Sequence, residues 1–204
     1  MYVGGIVGTT TGGLEECKSL GKISTCSTDT VISGGIAGYS SSTLRNSFST
    51  IELNCSNASE DMFIGGLLGQ CTKLMNESYF NGIIQIENSY TSSNICVGGL
   101  VGYMNYDGKI TNSFSDSAIS INCNNTVSIG AIVGMIYEGT IENVFMVKTH
   151  DYKINNISCE YNNDFNDYGM VENCSNLNLL YTRCLNSWDD SVWDVKENEY
   201  PHLR

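Results

Sequence analysis

Basic side chains are scarce in this 204-residue chain: 10 Lys and Arg stand against 22 Asp and Glu, giving a formal charge of −12. Phosphate neutralisation needs a basic patch, so nucleic-acid binding is excluded, and the acidic surface mainly keeps the protein in solution. Long apolar runs are missing as well. No stretch approaches the roughly 20 residues of a membrane span, yet 41% of the residues are apolar, enough to fill the core of one domain. Only His150 and His202 are histidines, and no two cysteines share a Cys-x-x-Cys spacing, so no metal site is expected. Proline is nearly absent, with one residue against 21 glycines. With Asn, Ser and Thr abundant and charged residues at 16%, this mixture favours turns and strand ladders over helices.

Neither a basic nor an apolar leader precedes the first glycines, so no secretory signal is read, and Met1 falls inside a strand, as expected for a fragment of a longer chain. Nine cysteines (17, 26, 55, 71, 96, 123, 159, 174 and 184) leave at least one unpaired. Cys26 and Cys55 end corresponding strands of adjacent repeats, where a rung spacing of about 4.8 Å is compatible with a disulfide. Buried thiols acting as small apolar fillers are the equal alternative. Six Asn-x-Ser/Thr sequons, at Asn54, Asn57, Asn76, Asn124, Asn156 and Asn173, suit a surface glycoprotein. Random placement of this composition gives roughly four, so they do not fix the compartment.

What the chain does have is one glycine phrase used five times. It runs Gly4-Gly5-Ile6-Val7-Gly8, then Gly34-Gly35-Ile36-Ala37-Gly38, Gly65-Gly66-Leu67-Leu68-Gly69, Gly98-Gly99-Leu100-Val101-Gly102 and Gly130-Ala131-Ile132-Val133-Gly134, at steps of 30, 31, 33 and 32 residues. A period of this size marks a repeat array whose units bury their apolar faces by stacking. Each repeat divides into about three apolar runs, as in Ile95 to Val101, Lys109 to Phe114 and Ala118 to Ile121, with period-two alternation in the second and third. An all-β, parallel β-helix of about five coils with a triangular section follows, divided at 1–30, 31–61, 62–94, 95–126 and 127–154, with a degenerate coil and cap at 155–204. The glycine doublets suit either a positive φ or a backbone approach too close for a Cβ. Asn46, Asn76, Asn112 and Asn143 are expected to stack as an amide ladder, and Phe48, Tyr79, Phe114 and Phe145 as an aromatic row belonging to the core. Repeat one departs from both, with Glu16 and Lys18 in those places.

The phrase Gly98 to Gly102 followed by Ile110-Thr111-Asn112-Ser113-Phe114 resembles the GLUG motif, a repeat of bacterial and protist surface proteins whose relatives include stretches of IgA-specific metallopeptidases and haemagglutinin-like adhesins. The resemblance covers about residues 1–154, with Ala37 and Ala131 as departures, and the tail from Trp188 to Asp194 is similar to the segment that closes such arrays. It implies a cap with no catalysis attached, and a cell-surface or secreted location.

Function is therefore expected to be non-catalytic: a rigid stalk or adhesive segment contacting extracellular proteins or glycans. Loop lengths vary most after the first run, at 39–43, 70–73, 103–108 and 135–138, which nominates Tyr39, Tyr103, Tyr106 and Tyr137 as contact residues. A non-catalytic region of a secreted peptidase is the alternative; no His-Glu-x-x-His occurs. A polysaccharide-degrading enzyme is the weaker one, because Glu15, Glu52, Glu87, Asp107, Asp116, Glu138 and Glu142 do not fall on matching positions of consecutive coils. The acidic stretch Tyr161 to Tyr168 reads as a solvated loop, and no cofactor is expected.

Overall fold

The computed structural model describes residues 1–91, 94–147, 152–159 and 171–204. Its chain is a parallel β-solenoid of five coils, and each coil climbs through four sheets, not the three runs read from the sequence. Sheet A holds Tyr2–Gly4, Val31–Gly34, Met62–Gly65, Ile95–Gly98 and Val127–Gly130. Sheet B holds Val7–Thr10, Ala37–Ser40, Leu68–Cys71, Val101–Met104 and Val133–Ile136. The expected single first run is thus broken at its glycines, where the chain turns from sheet A into sheet B. Sheet C carries the second run, continuous in Lys109–Ser115 and Thr140–Val147 and interrupted in coils one to three, and it ends on Val171–Cys174. Sheet D carries Lys22–Cys26, Glu52–Ser56, Ile83–Asn88, Ala118–Cys123 and Tyr152–Ile154, with Ile157–Cys159 folded back antiparallel.

The corner explains the glycine phrase. Gly4, Gly34, Gly65, Gly98 and Gly130 lie in register. Positive φ among the described glycines is confined to Gly21 and Gly139, so the doublets serve close approach, not a left-handed turn. A Cβ on Gly98 would stand 2.0 Å from the Val101 carbonyl oxygen and 2.6 Å from the Gly134 nitrogen; one on Gly99 would stand 2.1 Å from the Ala131 oxygen. The rungs continue around the bend: the N–H groups of Leu67 and Leu68 both donate to the Leu100 oxygen at 2.9 and 3.0 Å, and those of Leu100 and Val101 both donate to the Ile132 oxygen at 2.9 Å. Backbone groups at a buried corner are thereby satisfied without side chains.

Inside, alternate residues of all four sheets fill one core. Leu53, Ile84 and Ile119 stack in sheet D beneath Ile64, Val97, Leu67 and Leu100 of the corner, all nearly sealed. Sheet C has a break that serine repairs. Glu16, Asn46, Glu77, Asn112 and Asn143 each take a positive φ, between 44° and 52°, and in coils one to three this interrupts the strand. The next residue's N–H then finds a hydroxyl in the following coil: Cys17 donates to Ser47 Oγ at 3.0 Å, Ser47 to Ser78 Oγ at 3.2 Å and Ser78 to Ser113 Oγ at 3.2 Å. These hydroxyls in turn donate to the carbonyls of Arg45, Asn76 and Thr111. Buried serines here complete a ladder that the left-handed residue would otherwise leave open.

Two expectations are corrected. Asn76 is not in the asparagine row, because Met75 pairs with Leu44 and Ile110, so Glu77 takes the left-handed place. Asn76 is still tied to the row through its side chain: its Oδ1 accepts from Asn112 Nδ2 at 3.0 Å and from Thr111 Oγ1 at 2.7 Å. The Cys26–Cys55 bridge is absent because the register sets Cys55 against Thr25 and Cys26 against Ser56. Adjacent residues of a strand face opposite ways, so Cys55 enters the core and Cys26 faces solvent. Cys55, Cys71 and Cys123 act as apolar fillers of that core.

Burial pushes the thiols of Cys55, Cys71 and Cys96 up to about 11 and that of Cys184 up to about 12, from an ordinary 9.0. The folded state holds these protons more tightly than the unfolded chain, so their contribution is complete below pH 9 and is lost as pH rises toward 11. Unfolding free energies in urea are expected to be flat from about pH 7 to 8 and to fall above about 9, by up to about 1.4 kcal/mol per pH unit for each thiol. Cys71→Ala should flatten part of that fall; an unchanged slope would contradict the assignment.

Candidate functional site

Two aromatic surfaces run along the outside of the solenoid, and they have opposite fates. On sheet C, Phe48, Tyr79, Phe114 and Phe145 stack in successive coils, with centroids 4.9 and 4.8 Å apart and planes within 5° for the first two pairs. Lys18 closes the row in coil one, its ammonium 5.5 Å from the Phe48 centroid. This row points away from the inner core and is sealed by the C-terminal segment, forming a second core with Leu180, Leu185, Trp188 and Trp193. The expected cap is therefore lateral: it clads the flank of sheet C over coils two to five. The short helix Leu177–Arg183 begins at Asn176, whose side chain accepts from the Leu179 N–H at 2.9 Å. Three polar clips pin the segment. The Tyr79 hydroxyl donates to the Pro201 carbonyl at 2.7 Å, the Tyr200 hydroxyl donates to the buried Asp116 carboxylate, and the Asp189 N–H donates to Glu77 at 3.2 Å.

The other surface is the seam outside the glycine corner. Tyr2, Ile32, Phe63, Cys96 and Ser128 form one row on sheet A. Thr9, Tyr39, Gln70, Tyr103 and Met135 form the facing row on sheet B. Because glycine lets the two backbones touch, residues of the first row meet those of the second in the following coil. Tyr2 meets Tyr39 edge-on at 6.1 Å, Phe63 stacks on Tyr103 at 4.9 Å, and the Cys96 sulfur lies 3.8 Å from that of Met135. No described segment lies over this seam as residues 177–203 lie over sheet C. Around Phe63, Cys96, Tyr103 and Met135 it deepens into a groove with Asp61 and Asn94.

Of the four nominated tyrosines, Tyr39 and Tyr103 are strand residues of sheet B, half-buried in the seam, and not loop residues. Tyr106 and Tyr137 do lie in turns and are 65% and 72% exposed. Tyr106 and Tyr137 lie near enough to Tyr103 to act on its hydroxyl, whereas Tyr39 stands two coils from Tyr103 with Gln70 between them. Burial is the main cause that raises the Tyr103 hydroxyl.

Residues 93–122 match the family described as the GLUG motif. The match falls on the fourth coil. The crystal structure of a putative immunoglobulin A1 protease from Bacteroides ovatus is similar in fold, with a TM-score of 0.65 and 20% identity over 88% of this chain and 56% of that one. This chain thus spans little more than half the length of that protein. None of the curated proteins matches the chain in sequence.

Successive coils place carboxylates next to basic or amide partners. Glu52 pairs with Lys22 at 2.8 Å, Asp107 with Lys73 at 3.0 Å and Glu142 with Lys109 at 2.8 Å, while Glu87 accepts from Asn122 at 3.0 Å. Among the described residues no three His, Cys, Asp or Glu side chains converge as metal ligands, and the stretch 161–168 lies outside them. No helix among the described residues is long and apolar enough to cross a membrane. Sequence reading missed Phe63, Cys96 and Asp61. The available signal was their place just before each glycine phrase, on the face opposite the core-facing Met62 and Ile64.

Trp193 is fully buried against Phe48, Tyr79 and Trp188. Trp193→Ala is expected to cost about 3–5 kcal/mol in urea unfolding and to expose the aromatic row to a hydrophobic dye. A loss below about 1 kcal/mol would show that the lateral cap is not held by this side chain.

Proposed function

We propose that this chain is a non-catalytic β-solenoid interaction module of a secreted or cell-surface protein, contacting extracellular proteins or glycans through the seam of sheets A and B and the turns beside it. One observation carries the reading. Both flanks of the solenoid carry aromatic side chains, and among the described residues the C-terminal segment seals only those on sheet C. Uncovered aromatic surface on a protein otherwise rich in polar turns is the mark of an interaction site. The scaffold suits the role: five coils at about 4.8 Å per rung give a stiff rod of roughly 24 Å whose turns vary without disturbing the rungs. A role as a non-catalytic part of a secreted peptidase is the second reading, favoured by the fold shared with the Bacteroides ovatus protein.

Both readings leave chemistry to other parts of a parent protein. The test is binding of the folded chain to arrays of extracellular proteins and glycans, with Tyr106→Ala and Tyr137→Ala in parallel. Saturable binding that weakens about ten-fold or more in either variant is expected, since exposed aromatics are the usual energetic anchors of such surfaces. Absence of binding by folded wild-type protein, or binding indifferent to both variants, would count against an interaction role for this face.

A further inference from the structure

We infer that the groove lined by Phe63, Tyr103 and Asp61 takes the basic side chain, arginine or lysine, of an extended segment of a partner protein. This deepens the interaction-module reading and rests on it. Three features of the groove point to a cation. The stacked Phe63–Tyr103 pair, 4.9 Å between centroids, presents aromatic surface, and ring faces attract guanidinium and ammonium groups. Asp61 supplies a carboxylate at the same place. Its Oδ1 accepts both the N–H and the side-chain amide of Asn94, at 3.1 and 2.8 Å. Those bonds fix the carboxylate's position, and among the described residues none falls on Oδ2. Finally, no Lys, Arg or His lines the groove, in a chain of net charge −12.

The remaining lining suits the same class of ligand. Cys96 and Met135, with sulfurs 3.8 Å apart, offer a polarizable apolar surface that suits the methylene stem of a long basic side chain. A sugar ring would need several hydrogen-bonding groups around the aromatic face. Here Asn94, Thr126, Ser128 and the Tyr103 hydroxyl offer neutral hydrogen-bonding groups, and what separates the ligand classes is the single charge, the Asp61 carboxylate, which favours a cation over a neutral sugar. Burial, and then the Asp61 charge, push the Cys96 thiol up to about 11, which agrees with a negative potential inside the groove. Charge complementarity therefore selects a basic protein segment as the occupant.

The experiment titrates the full chain with two blocked tripeptides, acetyl-Gly-Arg-Gly-amide and its citrulline counterpart, which has nearly the same shape without the charge. Amide chemical-shift changes report the binding. Saturable shifts at Phe63, Cys96 and Tyr103 are expected with the arginine peptide, with citrulline about ten-fold weaker. Asp61→Asn and Tyr103→Leu should each weaken the arginine peptide several-fold, and 0.5 M salt should weaken it further. Equal affinity for both peptides, or an Asp61→Asn variant that binds as wild type, would overturn the inference. So would glycan binding at these residues that is indifferent to Asp61→Asn. Should Tyr106→Ala and Tyr137→Ala abolish capture of an extracellular partner while the arginine peptide fails to bind, the interaction module stands and the cation groove falls. Unchanged melting temperatures of the variants separate a lost contact from a lost fold.

Discussion

Everything in this solenoid depends on two strands of backbone being allowed to touch at each glycine corner. Sheets A and B meet there with no side chain between them, and the sites a Cβ would occupy are filled by carbonyl oxygens and amide nitrogens of the same and the next coil. The contact does three things at once. It turns the chain sharply and lets one carbonyl accept two N–H groups from the preceding coil. It also brings the outer rows of the two sheets together as a seam. A larger residue at one corner would disturb its neighbours above and below, because each coil is braced by the next.

From that corner follows the separation of the molecule into two cores and one open surface. The inner core is filled by alternate residues of four sheets and needs nothing from outside the coils. The second core forms because residues 177–203 lie over the Phe48 to Phe145 row. Its buried polar clips, Tyr79 to Pro201 and Tyr200 to Asp116, fix where the segment sits. Among the described residues nothing covers the seam, where Phe63, Tyr103, Cys96 and Met135 gather around Asp61. The proposed binding role follows from what the chain covers and what it leaves open.

Much of this architecture was legible in the sequence. The glycine period gave the coil number, and alternation in Ile84 to Ile86 and Ile119 to Ile121 correctly placed the core face of sheet D. The aromatic row was legible because its residues recur at one offset. Harder to see was the fourth sheet, since a Gly-Gly doublet serves a positive φ and a close approach equally well, and only geometry separates the two. The Asn76 misplacement arose from Leu74, an apolar residue one place ahead of the true row member Met75. The sequence left a bridge and a buried filler equally open for Cys26 and Cys55, and a one-residue shift, which in a strand reverses the face, decides against the bridge. The seam escaped because the members of each row, such as Phe63 and Cys96 or Tyr103 and Met135, share a position but no chemistry.

The most direct test of this account is the stability of Gly98→Ala beside Gly12→Ala. A methyl at Gly98 meets backbone at 2.0 Å, whereas one at Gly12 meets nothing nearer than the Thr10 hydroxyl at 3.9 Å. The account predicts that Gly98→Ala loses about 3 kcal/mol or more in urea unfolding while Gly12→Ala stays within about 0.5 kcal/mol of wild type. Equal, small effects at both positions would contradict a fold built on backbone contact at the glycine corner.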